Sequence, residues 1–328
     1  MGKSDKSRSE KPPRKPGAPR IDHLEPVDFA TLADDVDDLD QWLVKPLIPA
    51  HRLTAIVAGA GVGKSLIMLE IAAALATGRE TLLRSAGPPL SVIYIDMEMT
   101  RDDLAERLTE MGYGFADDQV FQENLHYYLM QDFKQFDTRR GGEQLLAVVE
   151  QDEAELVVID KLARVVQGDE NEANTYHNFA AFTGKPLKVE GVAVVRLDHI
   201  GKNPKMGSRG SSAKRDDVDV AWMMSNQNDP TKVKFKADKR RVEWVPAQVD
   251  VVRNPGPPLK HEIKQTALSE KVAALMTELD KLGVPTDAGR DKARKALTDA
   301  EIQSSNADLA DAVAARKRRG GQPDSTSS

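Results

Sequence analysis

The chain has 328 residues, a net charge of −6 and no cysteine. The lack of cysteine excludes disulfide bonds and cysteine-ligated zinc, and it agrees with a reducing compartment. No apolar run reaches the ~18 residues that a membrane-spanning helix needs, and the basic N-terminus lacks the hydrophobic stretch of a signal peptide. We therefore expect a cytoplasmic protein without a membrane segment, with one α/β core of roughly 200 residues and a smaller module.

The first 40 residues divide into two polar halves. Residues 1–20 contain seven Lys and Arg against two acids, whereas residues 22–40 contain eight acids and neither Lys nor Arg. Such segments bury too little apolar surface to order themselves. The composition predicts a disordered leader over residues 1–40, and a basic arm on the DNA backbone is the alternative for its first half.

A glycine-rich segment, AGAGVGKS at 58–65, follows the apolar run 53–57 and precedes a helical pattern over 66–75 with one apolar face. Glycine lets backbone N–H groups turn inward around phosphates, and the helix that follows adds its positive N-terminal end. Lys64 would reach the outer phosphates and the Ser65 hydroxyl would bind Mg²⁺. The pattern predicts a site for ATP and Mg²⁺ on residues Gly59, Ala60, Gly61, Val62, Gly63, Lys64, Ser65 and Leu66.

Two further apolar runs end in acids. The run 154–160 ends in Asp160, which suits the carboxylate that holds Mg²⁺ through water. The residue after it is Lys161, so the arrangement of AAA+ proteins, with Glu in that place, is absent. The run 91–98 ends in Glu98, and we expect its strand to lie beside the P-loop strand. ParA-type ATPases have a second Lys at the start of the P-loop, where this chain has Ala58.

Five segments occur in one order: AGAGVGKS, YIDMEMTRDDLAERL (94–108), LVVIDKLARV (156–165), DHIGK (198–202) and SRGSSAKRDDVD (208–219). Over about residues 41–245 the chain resembles the RepA-type branch of RecA-fold ATPases, which includes plasmid and phage replicative helicases. The resemblance implies a RecA-like core with a mainly parallel central sheet flanked by helices.

By this resemblance Glu98 is the catalytic base, Asp160 the acid linked to Mg²⁺, and His199 the sensor of the γ-phosphate. For His199 the alternative is a structural histidine at a strand end. At positions 58 and 161 the chain departs from the family pattern, and neither change removes a catalytic group.

A cationic loop, residues 201–215, follows the predicted sensor strand and contains no acid. In RecA-fold translocases the corresponding loop contacts single-stranded DNA. Because the loop has no aromatic residue, contacts to the DNA backbone would dominate over base stacking. A solvated surface loop is the alternative. The predicted DNA contacts are Lys202, Lys205, Arg209, Lys214 and Arg215.

A second basic stretch, KVKFKADKRR at 232–241, begins with the alternation of a strand that has one polar face. Its end resembles the K-x-R element with which hexameric RecA-fold motors reach a neighbouring ATP site. We therefore expect Lys239 and Arg241 to assist catalysis in a homo-oligomeric ring, for which a hexamer is one arrangement. Arg240 is the substitute if the register differs by one residue, and a solvated strand end is the alternative.

The C-terminal part begins with a predicted linker, 253–266, which contains Asn-Pro-Gly-Pro-Pro. Periodicity predicts three short helices within 267–318, followed by a polar tail over 319–328. A helix-turn-helix or winged-helix module with a cationic face would bind DNA, whereas a docking or oligomerisation module is equally compatible.

Together these patterns predict an ATPase that translocates on single-stranded DNA, most simply a replicative helicase. Two alternatives use the same site: a RecA-like recombinase that forms filaments, and an ATP-switched initiator or loader. Each would work with other replication or recombination proteins.

Overall fold

The computed structural model describes residues 41–169, 172–200, 217–226, 228–264 and 270–320, together with Phe29 and Arg215. The strands of this part of the chain are β1 (Trp42–Val44), β2 (Ile48–Pro49), β3 (Leu53–Ala58), β4 (Val92–Asp96), β5 (Leu125–Leu129), β6 (Leu156–Asp160), β7 (Ala193–His199), β8 (Val220–Ser225), β9 (Lys232–Arg240), β10 (Gln248–Asn254) and β11 (Lys260–Ile263). The α-helices are α1 (Lys64–Ala76), α2 (Arg101–Glu110), α3 (Gln119–Asn124), α4 (Arg139–Gln151), α5 (Ala173–Phe179), α6 (Lys185–Val189), α7 (Glu270–Lys281), α8 (Arg290–Asp299) and α9 (Asn306–Gly320). A 3-10 helix covers Leu162–Arg164, and a π-helix, Ala180–Gly184, connects α5 to α6.

Within the described residues, nine strands form one sheet in the order β11-β10-β9-β8-β3-β7-β6-β4-β5. From β8 to β5 all neighbours are parallel, and from β8 to β11 they are antiparallel. The predicted α/β fold with a mainly parallel central sheet flanked by helices is therefore confirmed, and it is consistent with a RecA-like core. The expected place of β4 was wrong, because β6 and β7 lie between β4 and β3.

The parallel strands are apolar because both faces of the sheet are covered. Side chains alternate between the faces along each strand. In β3, Ile56 belongs to one apolar cluster and Ala55 to the other. In β6, Val158 and Ile159 divide in the same way. The core of the domain thus consists of two layers, one on each side of the sheet.

Helix α1 follows the P-loop and is more deeply buried than its sequence pattern predicts. The pattern predicts one apolar face, whereas every residue of 67–76 is buried. The reason is its surroundings, since α1 contacts β4 and β5 of the sheet and also α3 and β11. Glu70 is among the buried residues, and its carboxylate is held by contacts from β11.

The prediction of a linker over residues 253–266 is corrected by the structure for the described residues 253–264. Residues Arg253 and Asn254 end β10, and Lys260–Ile263 forms β11, which pairs with β10 in the antiparallel direction. The segment 255–259 is therefore a hairpin connection within the main sheet. Proline- and glycine-rich composition indicates a chain reversal, and local composition does not distinguish a hairpin turn from a linker between domains.

The three C-terminal helices, α7, α8 and α9, form their own apolar core around Leu279, Leu297 and Leu309. Arg316 of α9 is buried, and its Nη2 lies 2.8 Å from Oδ1 of Asp280. Helix α9 ends at Gly320, two residues beyond the predicted end of the module. Most of the predicted leader, residues 1–28 and 30–40, and the tail 321–328 lie outside the described residues. No helix in the described part of the chain is long and apolar enough to cross a membrane.

Candidate active site

The P-loop connects the carboxyl end of β3 to the first turn of α1. Gly61 has φ 74° and Gly63 has φ 102°, backbone angles that residues with a Cβ rarely adopt. A left-handed residue next to right-handed ones turns successive N–H groups toward one point, which is the geometry of an anion-binding nest. The loop directly precedes the N-terminus of the 13-residue helix α1. The backbone therefore suits a polyphosphate.

Lys64 lies folded back over this loop and is buried. Its Nζ is 3.4 Å from the carbonyl oxygens of both Ala58 and Gly59, and 3.5 Å from Nδ1 of His199. Burial lowers the pKa of Lys64, while the nearby carboxylates of Asp160 and Glu98 oppose the shift. The ammonium group thus lies between the P-loop and the acids, where it could donate a charge-assisted hydrogen bond to a bound phosphate.

Asp160 ends β6 next to the first residues of α1. Burial raises the pKa of Asp160 to about 6, and hydrogen bonds from Ser65 and Tyr94 act in the opposite direction. The Tyr94 hydroxyl lies 3.1 Å from Oδ2 of Asp160. A hydroxyl and a carboxylate side by side are oxygen ligands of the kind that Mg²⁺ uses together with phosphate and water. The residues therefore fit the ion that the P-loop pattern predicts.

Glu98 lies two residues beyond the end of β4, in a turn that Asp96 organises. Oδ1 of Asp96 accepts the backbone N–H groups of Glu98 at 2.7 Å and Met99 at 3.0 Å. Asp96 is fully buried, and the hydroxyl of Tyr127 donates to its Oδ2. The ring of Tyr127 stacks on that of Tyr94 with 4.8 Å between centroids. Glu98 thus lies in a hydrogen-bonded turn whose organising residue, Asp96, contacts one of two stacked tyrosines.

The residue after Asp160 contributes a second cation to this site. Nζ of Lys161 lies 2.7 Å from Oε1 of Glu98. Burial alone would raise the pKa of Glu98, but the hydrogen bond and charge of Lys161, with the charges of His199 and Arg164, hold it below its usual value. Glu98 is therefore a carboxylate that stays ionised, on a side chain that is 38% exposed.

His199 is the last residue of β7, opposite Ala58 in the parallel pairing of β3 and β7. The predicted sensor thus lies beside the P-loop lysine. The next residue, Ile200, donates its N–H to the carbonyl of Ala58 at 3.2 Å. The cationic loop that follows begins at this point. Its predicted DNA contacts Lys202, Lys205, Arg209 and Lys214 lie outside the described residues.

Arg215, the last predicted DNA contact, lies at the other end of the sheet. Its Nη1 is 3.1 Å from Oδ2 of Asp238, and its carbonyl accepts a hydrogen bond from Nζ of Lys239 at 2.7 Å. Ile200, the residue before the cationic loop, and Arg215, the last residue of the loop, are therefore held at opposite ends of the parallel strands.

Lys239 and Arg241 lie away from the P-loop of their own chain. The backbone N–H of Arg241 bonds the carbonyl of Asp219, whose own N–H bonds the carbonyl of Leu53, the first residue of β3. The P-loop leaves the opposite end of that strand, after Ala58. At about 3.3 Å per residue the level of Arg241 is roughly 17 Å from the P-loop, and that of Lys239, which is level with Ala55 through Ala221, is roughly 10 Å from it. These two cations therefore do not join the cluster formed by Lys64, Glu98 and Asp160.

Sequence reasoning missed several residues that shape the site. Asp96 lies two residues before Glu98, and Lys161 directly follows Asp160, so both residues were visible in the sequence while their contacts were not. Arg253 was assigned to a linker, yet its Nη2 donates to the carbonyl of Val62 in the P-loop at 3.1 Å. That contact spans 191 residues of sequence and has no local signal.

The P-loop and the acids at the carboxyl ends of a parallel sheet define the class: a P-loop nucleotide-triphosphate-binding protein with a RecA-like core. A family model described as an AAA domain matches residues 18–205. The chain belongs to this family of P-loop ATPases. The matched segment includes the P-loop and the strands β3, β4, β5, β6 and β7. No match was found among the curated proteins.

Proposed function

We propose that this protein hydrolyses ATP to move along single-stranded DNA, as a replicative helicase of the RepA type does. The observation that carries the proposal is the convergence of Lys64, Glu98, Asp160 and His199 on one end of the parallel sheet. Asp160 and His199 end their strands, and Glu98 and Lys64 lie in segments that follow two other strands, as expected for a site at the carboxyl edge of an α/β sheet.

The residues divide the chemistry as follows. The inward N–H groups of the P-loop and the ammonium of Lys64 bind the β- and γ-phosphates. Ser65 and Asp160 would hold Mg²⁺, which when bound neutralises charge on the phosphate oxygens. Glu98 accepts a hydrogen bond from water and orients it for in-line attack. His199, 3.5 Å from Nζ of Lys64, would sense whether the γ-phosphate is present.

The link to DNA is supported by where the cationic loop starts. Ile200 is bonded to the carbonyl of Ala58, so the first residue before the loop is tied to the strand that carries the P-loop. A change at the γ-phosphate would reach the loop through His199 and Ile200. The cations Lys202, Lys205 and Arg209 would then grip or release the DNA backbone.

The proposal includes a homo-oligomer, with a hexameric ring as one arrangement. Arg241 lies at the end of the sheet opposite its own P-loop and Lys239 lies two residues before it, so a neighbouring subunit's ATP is the phosphate that they would contact. A cation at that position stabilises charge on the transferring phosphoryl group. A RecA-like filament would use the same contact, so a recombinase is the first alternative.

The initiator or loader alternative is favoured by a separate observation. Helices α7, α8 and α9 have an apolar core of their own, and Arg290, Lys292, Arg294 and Lys295 are exposed on α8. A compact helical module with an exposed cationic helix suits duplex DNA. Other replication or recombination proteins are the alternative partners of this module.

The decisive experiment measures phosphate release with Mg²⁺-ATP, with and without single-stranded DNA. We expect hydrolysis that DNA stimulates, and none in Lys64→Ala. Strand displacement would support the helicase, strand exchange the recombinase, and binding to one duplex sequence without either would support the initiator. Negative-stain images with ATP and single-stranded DNA separate rings, filaments and monomers. A parent protein without ATPase activity would overturn the proposal.

A further inference from the structure

The hairpin formed by β10 and β11 contacts the P-loop through one side chain. Nη2 of Arg253 donates to the carbonyl of Val62 at 3.1 Å. A Cβ added at Gly63 would lie 2.1 Å from the same nitrogen. The guanidinium therefore packs directly on the glycine that precedes Lys64, and even a methyl group at Gly63 would displace it.

This hydrogen bond fixes the direction of a peptide group that faces the phosphates. In a trans peptide the carbonyl and the following N–H point in opposite directions. Arg253 holds the Val62 carbonyl on the side of the hairpin, and the N–H of Gly63 must then point to the other side. That N–H belongs to the nest described above, in which each donor is useful only if it is aimed at the anion.

The guanidinium is itself held by two other partners. Its Nε lies 3.0 Å from Nε2 of His261, and its Nη1 donates to the carbonyl of Pro230 at 3.0 Å. Because Nε of arginine always carries hydrogen, Nε2 of His261 must accept, so Nδ1 carries the imidazole proton. Nδ1 donates to Oε2 of Glu70, which also accepts the backbone N–H of His261 at 2.9 Å.

These contacts form a chain that is buried at Glu70 and His261 and half-buried at Arg253, and its two ends lie on the same segment. Glu70 belongs to α1 and Val62 to the loop just before it, while Arg253 and His261 come from the hairpin. Glu70 and His261 are both buried, and an unpaired polar group there would be costly. The chain therefore joins the loop and its helix through the hairpin at two points.

We propose that Arg253 is a positioning residue for phosphate binding, and that the β10–β11 hairpin braces the P-loop of its own chain. The inference rests on the proposed ATP site. It assigns a role to a hairpin that lies outside the matched family segment, which ends at residue 205. The hairpin positions the N–H groups that would bind phosphate and does not contact the water that Glu98 would orient. Loss of this contact should therefore weaken nucleotide binding without slowing turnover.

The test compares Arg253→Gln with the parent by titration of a fluorescent ADP analogue, displacement of that analogue by inorganic pyrophosphate, and steady-state ATP hydrolysis. Loss of a charge-assisted hydrogen bond predicts roughly 10-fold weaker binding of ADP and pyrophosphate and a similar rise in KM. At saturating ATP, kcat should stay within about 3-fold of the parent. Arg253→Lys should recover part of the affinity, because an ammonium can reach one carbonyl.

The matched control is Lys260→Gln on the same hairpin. Lys260 bonds Glu80 at 2.8 Å on the surface, so its loss should leave all three readouts unchanged. Thermal melting of each variant records folding, and Glu70→Gln, which weakens the far end of the chain, decides the matter if Arg253→Gln does not fold. If a folded Arg253→Gln binds ADP and pyrophosphate as the parent does, the proposed role of the hairpin is wrong. If Arg253→Gln does not fold, parent-like affinities in Glu70→Gln lead to the same conclusion. A kcat loss without a KM change does so too. If the parent itself binds no ADP, the proposed ATP site fails first.

Discussion

Nζ of Lys161 lies 2.7 Å from Oε1 of Glu98, so the proposed base is paired with the residue that follows the proposed Mg²⁺-linked acid. The pairing joins the ends of β4 and β6, which are adjacent and parallel. It also lowers the pKa of Glu98 and so favours the ionised carboxylate. One oxygen of Glu98 contacts the ammonium, and in the proposed reaction the other would orient water.

Replacing Lys161 by Met should change the pH dependence of hydrolysis. A base must be ionised, and Lys161 holds the pKa of Glu98 below its usual value. Without the ammonium the pKa rises, so activity should be lost at a higher pH as the solution is acidified. At neutral pH the variant should keep most of its activity, because an ordinary Glu is ionised there. The measurement is kcat between pH 5 and pH 8.

The graded control is Arg164→Met. Arg164 lowers the pKa of Glu98 through its charge alone, and its effect is smaller than that of Lys161 or His199. Its removal should move the acid limb in the same direction by a smaller amount. An acid limb that does not move in Lys161→Met would show that Glu98 does not control the rate.

Replacing His199 by Ala should separate binding from DNA stimulation. The residue touches Lys64 and begins the path to the cationic loop, and it does not form the nest. ATP and DNA should both bind as they do to the parent, while hydrolysis no longer rises with DNA. The control is His177→Ala, an exposed histidine whose Nδ1 lies 2.7 Å from Asp217. Normal stimulation in His199→Ala would contradict the sensor role.

Neutralising Lys202, Lys205 and Arg209 together should weaken binding of single-stranded DNA and flatten its salt dependence. Each lost phosphate contact should reduce the slope of log K against log salt by about 0.7. Fluorescence anisotropy with a labelled oligonucleotide across several salt concentrations provides the slopes. An unchanged slope would remove this loop from the DNA surface.

The same titration on Arg290→Gln, Lys292→Gln and Lys295→Gln together serves as its comparison. We expect these changes on α8 to leave single-stranded DNA binding unaltered. A loss confined to this variant would instead favour the initiator or loader, whose DNA contacts lie in the C-terminal module.

Replacing Arg241 by Ala should leave ATP binding intact and lower hydrolysis on the order of a thousand-fold, if the cation acts on a neighbour's ATP. Mixing it with Glu98→Gln should restore activity, because roughly a quarter of the interfaces in random assemblies pair an intact base with an intact cation. A cation that acts within its own subunit gives no such rescue. Lys239→Ala and Arg240→Ala, measured in the same way, show which of these cations act on the neighbouring ATP.

A matched control for Arg241 exists on the same carboxylate. Asp219 lies 3.7 Å from Arg241 and 3.8 Å from Arg52, and Lys188 contacts both of its oxygens at 2.8 Å. Arg52→Ala should therefore reproduce any effect that works through Asp219. If Arg52→Ala and Arg241→Ala lose activity equally, or if mixing restores nothing, the shared site is contradicted.

The sequence was informative where function depends on strand ends. The P-loop, Asp160 and His199 follow apolar runs, and parallel strands bring their carboxyl ends to one edge, so short patterns suffice to group them. The order of the strands was not readable, since no local pattern tells which strand lies beside β3. The brace was invisible for a related reason. Arg253 meets Val62 only after the sheet has formed, and the turn residues before β11 resemble a linker.

The central claim is that Glu98 is the base that orients water for ATP hydrolysis. The most direct test measures both the rate of ATP hydrolysis and the ATP affinity of Glu98→Gln. Glutamine keeps the shape of the side chain but accepts a proton poorly, so we expect parent-like binding of ATP and a kcat lower by about 10²- to 10⁴-fold. Lys64→Ala, in the same experiment, should lose binding as well as hydrolysis. A folded Glu98→Gln that hydrolyses ATP at the parent rate would contradict the assignment of the base and, with it, the account of this site.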